Sequence, residues 1–255
     1  MIEVYTLFSG SSGNSTLIRC GTTAVLVDAG RSRRAVLGAL REAGQDAGRL
    51  DALFVTHEHS DHVSAIAQLA LHEGMPVHAC AGTADVLSQT EPIRACMTRH
   101  GVIFTERVGT LTVTSFPLPH DSRSHVGYVF RDEEGDAFAL ATDMGHITEE
   151  VTDALAGCRG ALLEANHEEE MVRTGPYPAY LKARILSPRG HLSNGDCGAL
   201  ARRAAEAGVR HLGLGHLSRE NNTPELARRT VEAALSGTDV RSLTVCARDR
   251  VTRIM

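Results

Sequence analysis

The sequence predicts an α/β (α+β) fold: two mixed β-sheets packed together and flanked by helices. Three observations lead there. Short β-prone runs crowd the first half, helix signals strengthen in the second, and no linker, repeat or low-complexity tract divides the chain. At 255 residues the chain is long enough to bury a full core, and we read residues 1–255 as one domain.

Each element has a local reason. Ile2–Phe8, 15–19 and 24–28 are β-prone runs broken by Gly, Ser and Asn turns, and read as strands. Residues 32–43 read as a helix, with Val36 and Leu40 on one face and Gly44 at its end. Residues 51–56 form an apolar strand that runs straight into His57, and 62–71 read as one helix. Residues 111–116, 127–131, 137–142 and 161–164 are strands again. Asn194 is expected to cap a helix running to about Ala207, with Gly208 as its stop. Thr223-Pro224 opens another helix, bracketed by strands at 210–215 and 242–246.

Composition narrows the function classes. Trp is absent and aromatics are 4% of the chain, so the core is expected to rest on Leu, Val, Ile and Ala. The net charge of −5 offers no global attraction to nucleic acid, so a polyanion would need local cations or metal ions. Two small basic clusters, Arg31/Arg33/Arg34 and Arg173/Lys182/Arg184/Arg189, could meet a phosphate backbone. The six cysteines form no CxxC pair, which argues against a zinc ribbon or redox motif and for a reducing, cytoplasmic setting. No signal peptide and no bilayer-spanning run is read, so no membrane role is expected.

The segment Thr56-His57-Glu58-His59-Ser60-Asp61-His62 carries the chemistry. Four candidate ligands fall within six residues, directly after an apolar strand. Imidazole and carboxylate suit zinc, manganese or iron, and a tight turn can aim alternate side chains at two neighbouring ions. His72, His78, His100, His125, His146 and His211 have no motif around them and read as surface or hydrogen-bonded structural residues.

His-x-His-x-Asp-His after a hydrophobic strand resembles the signature of the metallo-β-lactamase superfamily, whose fold is an αββα sandwich. The resemblance implies three more ligands at later strand ends, and His120, Asp143 and His216 stand there in order. It implies one divalent ion on His57, His59 and His120, a second on Asp61, His62 and His216, and Asp143 bridging them. Such a pair generates hydroxide at neutral pH and neutralises charge on the substrate. Best-known zinc β-lactamases have Cys at the position of Asp143, and flavodiiron proteins have Glu at that of His59. Glyoxalase II-like enzymes share the ligand set.

Four further segments resemble the YycJ (WalJ) branch of 5′-to-3′ DNA exonucleases. They are 8–15, 164–168, 190–194 and 216–224. The likeness implies a phosphodiesterase acting on DNA, with RNA as a possible substrate. In that role Ser11, Ser12 and Asn14 of the Gly/Ser loop would cradle phosphate, with Ser193 and Asn194 beside a helix start. Glu164 would orient a ligand histidine. Asp61 or Asp143 would orient the attacking hydroxide, and His191 would serve as general acid or phosphate contact. The stretch between Asp143 and His216 is too short for an inserted β-CASP domain. Two rival readings share the metals: a hydrolase of small esters, thioesters or cyclic phosphates, and a mononuclear iron dioxygenase acting on thiols or persulfides.

Overall fold

Side-chain alternation decides the layers. The computed structural model describes residues 1–255. The first sheet contains β1 (Ile2–Phe8), β2 (Ser15–Cys20), β3 (Thr23–Val27), β4 (Ala52–Val55), β5 (Val77–Cys80) and β6 (Met97–His100). The second contains β7 (Thr105–Val108), β8 (Leu111–Pro117), β9 (Val126–Asp132), β10 (Ala137–Ala141), β11 (Gly160–Glu164), β12 (His211–Gly215) and β13 (Ser242–Val245). The last strand, β14 (Thr252–Arg253), returns to pair with β1, so the sheet orders are β14-β1-β2-β3-β4-β5-β6 and β13-β12-β11-β10-β9-β8-β7.

Successive strand residues leave on opposite faces. Ile18, Val25, Phe54, Phe130, Phe138 and Leu162 therefore meet between the sheets. Their neighbours Leu17, Leu26 and Leu53 face outward onto the helices Arg33–Glu42 and Ile66–Glu73. On the far side Ala161, Leu163 and Leu212 pack against Asn194–Glu206 and Pro224–Ala234. The result is helix, sheet, sheet, helix, as the sequence predicts.

Four details differ from the sequence reading. The aromatics are few but are concentrated between the sheets, where Phe54 meets Tyr128 and Phe130 edge-on at 5.5 and 6.4 Å. The cap of the helix Asn194–Glu206 is Ser193, whose Oγ accepts from Asp196 N at 3.1 Å, so Asn194 is its first helical residue. Strands β5, β6, β7 and β14 and several one- or two-turn helices escaped the pattern, because two to seven residues carry too little periodicity to register.

The expected helix over 62–71 is two helices, Ser60–Val63 and Ile66–Glu73. The break has a clear cause. Asp61 O accepts from Asn14 N at 2.8 Å, His62 O accepts from Ala29 N at 2.7 Å, and Ala65 N donates to Ala29 O at 2.8 Å. Backbone groups that would continue one helix are bonded to the 14 and 29 segments instead. Gly30 makes the approach possible, since a Cβ there would lie 1.5 Å from Asp61 O.

A buried polar contact also stitches the two sheets. Tyr128, fully buried, donates its hydroxyl to Val55 O at 2.6 Å. Tyr128→Phe should cost about 1 kcal/mol by removing that hydrogen bond, read as a drop in Tm of roughly 2–4 °C per kcal/mol for a chain of this size.

Candidate metal centre

Parallel pairing gathers the expected ligands at one rim. Strands β3 and β4 run parallel, as do β10, β11 and β12, so their C-terminal ends share an edge of the sandwich. Asp28, His57, Asp143, Glu164 and His216 sit at or just beyond those ends, and His120 follows β8. Asp28, Asp143 and His216 have φ of 58°, 64° and 54°, and they are the only non-glycine residues in left-handed backbone. Such turns cost on the order of 1–3 kcal/mol each and persist only where hydrogen bonds enforce them. Here Thr56 N donates to Asp28 Oδ1 at 2.8 Å, His216 N to Ser9 Oγ at 2.9 Å, and Met144 N to Glu164 Oε2 at 2.8 Å.

The outer nitrogen of each histidine is occupied. His57 Nδ1 meets Thr56 Oγ1 at 3.0 Å, His62 Nδ1 meets Asp28 Oδ2 at 2.8 Å, and His120 Nδ1 meets Gly190 O at 3.0 Å. His216 Nδ1 meets Glu164 Oε1 at 2.8 Å. With Nδ1–H donating outward, Nε2 of all four is the nitrogen that faces inward, where it can bind a metal once it carries no proton.

The inward atoms converge. His57, His59 and His120 form one cluster of potential ligands; Asp61, His62 and His216 form another; Asp143 joins His57 and His62 in a third. His216 Nε2 and Asp143 Oδ2 are buried and have no hydrogen-bond partner. Unpaired buried polar atoms are costly, and a divalent cation between them would satisfy both, so the residues present fit a metal.

A comparison of two histidine pairs shows that closeness alone is not enough. His57 Nε2 lies 3.0 Å from His59 Nδ1 with ring centroids 4.5 Å apart and planes at 76°, so the lone pairs converge beside the pair. His78 Nδ1 and His100 Nε2 are also 3.0 Å apart, but their nearly coplanar rings stand 5.2 Å apart. That geometry is an N–H···N hydrogen bond, and the only carboxylate grouped with the pair is Glu106.

Electrostatics agree with a cation site. Burial disfavours charge on His62, yet Asp143, Asp28 and Asp61 outweigh it and raise its pKa to about 9. His216 is raised well above its usual value in the same way, by Asp143, Asp61 and Glu164 against the effect of burial. Burial would raise Glu164, but His191 and His216 hold it well below the carboxylate range. Metal-free, the carboxylates draw protons onto His62 and His216, while burial pushes His57 and His120 down. A divalent ion would take the place of those protons.

The remaining expected residues divide. Glu164 is fully buried and accepts from both His216 and His191, each at 2.8 Å, as well as from Leu192 N. His191 is partly exposed beside the cluster. Ser11 and Ser12 are exposed on the loop, where Ser12 Oγ accepts from Arg31. Asn14 is not on an open phosphate cradle. It is buried, Gly10 N donates to its Oδ1, and its Nδ2 lies 3.0 Å from His62 Nε2. Ser193 and Asn194 are spent on structure, one as a helix cap and the other fully buried against Asn222.

Several expected backbone contacts are neutralised. Arg33, Arg173 and Arg184 pair with Glu73, Glu169 and Asp121. His125 is neither exposed nor hydrogen-bonded. It packs 4.4 Å from the His57 ring with both nitrogens unpartnered, and burial pushes its pKa well down. Sequence reasoning missed Asp28, Thr56 and Asn166. Asp28 had a signal, since it ends the apolar run Ala24-Val25-Leu26-Val27 as His57 and Asp143 end theirs. Asn166, which donates to His216 O at 2.8 Å, had none beyond its segment.

The chain matches the β-lactamase superfamily domain over residues 23–217. It is 36% identical to exodeoxyribonuclease WalJ of Streptococcus pneumoniae over 245 residues, 92% of this chain and 88% of the relative. It is 33% identical to exodeoxyribonuclease YycJ of Bacillus anthracis over 233 residues, 90% and 87% of the two chains. Among solved structures, the metallo-β-lactamase fold protein YhfI of Bacillus subtilis superposes with a TM-score of 0.76 at 18% identity, covering 99% of this chain and 98% of the other. Zinc-bound PqqB of Methylobacterium extorquens superposes at 0.72 with 19% identity and 99% coverage of both. The protein belongs to the metallo-β-lactamase superfamily, in the branch that holds WalJ and YycJ.

Proposed function

We propose that this protein is a metal-dependent phosphodiesterase that degrades DNA from the 5′ end. The observation that carries the reading is a nearly end-to-end likeness to two exodeoxyribonucleases in a chain whose inward-facing His and Asp atoms converge. The proposed ligands are His57, His59 and His120 for one divalent ion, Asp61, His62 and His216 for a second, and Asp143 between them. Zinc or manganese suits this donor set best, and iron is compatible. No helix is long and apolar enough to cross a membrane, the six cysteines are unpaired, and we place the protein in the cytoplasm.

Two ions so held would activate a water at neutral pH and offset charge on the phosphoryl oxygens. The chain supplies the rest. Burial would raise the Asp61 pKa, but His216 and His62 hold it well below the usual range, so it stays an acceptor toward the attacking water. Glu164 accepts from His191 Nδ1 and orients the ring, and we assign His191 as the group that protonates the departing oxygen. The same carboxylate fixes His216, so one buried group sets both the donor and a ligand.

Three outcomes are expected. Asp61→Ala or His62→Ala should lower digestion of end-labelled DNA by about 100-fold or more, beyond the roughly 10–100-fold typical of groups that only orient ligands. Retained nuclease activity in clean variant protein would overturn the reading, as would loss of label from the 3′ end first overturn the polarity. RNA of the same sequence serves as the second substrate. Glu164→Gln should weaken divalent-metal affinity by about 10–100-fold, measured by competition with a chelating dye. Metal uptake at pH 7 should release protons, since His62 titrates near 9 in the metal-free protein and must lose its proton to bind. Affinity should therefore tighten from pH 6 to pH 8, and calorimetry in two buffers of different ionisation enthalpy reads the protons directly.

A further inference from the structure

We infer that a small cavity beside His191 seats one unpaired nucleobase at the end of a DNA strand, with Tyr177 as its stacking face. The inference rests on the nuclease reading above and adds what that reading leaves open: which part of the DNA the protein holds, and in what strand state.

The cavity measures about 180 Å³. Sites that enclose a whole small molecule run to roughly 300–1,000 Å³, so this one accepts a single flat group. Its lining combines the apolar side chains of Tyr177, Leu181 and Ile185 with the polar ones of Ser11, Asn166, Ser218 and His191. A lining that offers both apolar surface and hydrogen-bonding groups suits a nucleobase, which has a π-face and a polar rim.

Tyr177 is presented rigidly. It stands between Pro176 and Pro178, which fix their own φ and hold the residues before them extended. Gly175 closes the turn: its N–H donates to Met171 O at 2.9 Å, and a Cβ there would come within 2.4 Å of that same oxygen. An aromatic held in place before binding loses little entropy on stacking. Aromatics are also scarce in this chain. Of its four tyrosines, Tyr5 and Tyr128 lie in strands β1 and β9, while Tyr177 and Tyr180 share this segment, and Tyr180 is 76% exposed.

The seat is tied to the metal centre. Arg184, at its rim, makes a two-pronged pair with Asp121 at 2.5 and 3.1 Å. Asp121 in turn lies 3.4 Å from His120 Nε2. On the loop side, the Arg31 guanidinium bonds Ser12 Oγ and that of Arg248 bonds the Ser218 carbonyl. A terminal nucleotide with its base in the seat would place its phosphate toward His191 and the histidine cluster. A base still paired in a duplex could not reach Tyr177 without leaving the stack.

The test pairs the side chain with the base it would hold. Phosphorothioate oligonucleotides, which resist hydrolysis, carry a fluorophore at one end and either a normal or an abasic nucleotide at the other. Binding to the metal-loaded protein is read by anisotropy for single strands and blunt duplexes. The wild type should bind the single strand more tightly and lose roughly 5- to 150-fold in affinity when the terminal base is missing. Tyr177→Leu should show the same weak affinity for both oligonucleotides, and Tyr177→Phe should restore the wild-type difference. If Tyr177→Leu keeps the full penalty for the missing base, or the wild type shows none, the seat is wrong while the nuclease reading stands. If the wild type neither binds nor digests DNA, both fall.

Discussion

Everything at the rim depends on a backbone clasp around Asp61 and His62. The carbonyls of these two residues accept from Asn14 N and Ala29 N, while Ala29 O takes the Ala65 N–H that a continuous helix would have used. One turn of helix is thereby detached from the next, and Asp61 and His62 are turned toward the residues that end the strands of the opposite sheet. The clasp tolerates no side chain at Gly30, whose added Cβ would fall inside the Asp61 carbonyl. Asn14 closes it from the other side, with its backbone N–H on Asp61 and its amide at His62. The Gly/Ser loop that precedes Asn14 is therefore a support for the cluster first, and a surface for substrate only at Ser11 and Ser12.

The second constraint is charge. Five histidines and two carboxylates are crowded into a largely buried space, where unpaired charge is expensive. Asp28 and Glu164 resolve this from outside the cluster, each bonding a histidine Nδ1 and so directing its Nε2 inward. Glu164 does more, because its two oxygens also collect His191 and the N–H groups of Met144 and Leu192. One buried carboxylate thus fixes the ends of three segments that are distant in the chain.

The residues that mark the branch resolve into a buried polar network. Asn222 bonds the carbonyls of Ala165 and Asn166 and exchanges hydrogen bonds with Asn194. Asn166 holds the His216 carbonyl, and Ser193 caps the helix behind it. Such networks are strong only when every member is satisfied, which explains why the asparagines occur together in these segments. Their work is to hold Glu164, His191 and His216 in register. The proposed substrate surface is what remains: His191, the tip of the Gly/Ser loop and the Tyr177 turn.

The sequence by itself determined the sandwich and the His and Asp residues that gather at its rim. Alternating apolar strands leave few ways to cover both faces of each sheet, and His57 to His62, His120, Asp143 and His216 stand at strand ends whatever lies around them. It did not determine which polar residues serve the metal, the substrate or the scaffold. Ser193, Asn194 and Asn14 look like phosphate contacts in one dimension, while Asp28 looks like a strand end and His125 like a surface or hydrogen-bonded structural residue. Only the tertiary structure separated them, because a side chain's role depends on which distant backbone groups it meets and how much water is left beside it. Those contacts join residues as far apart as Ser9 and His216, and no local pattern encodes them.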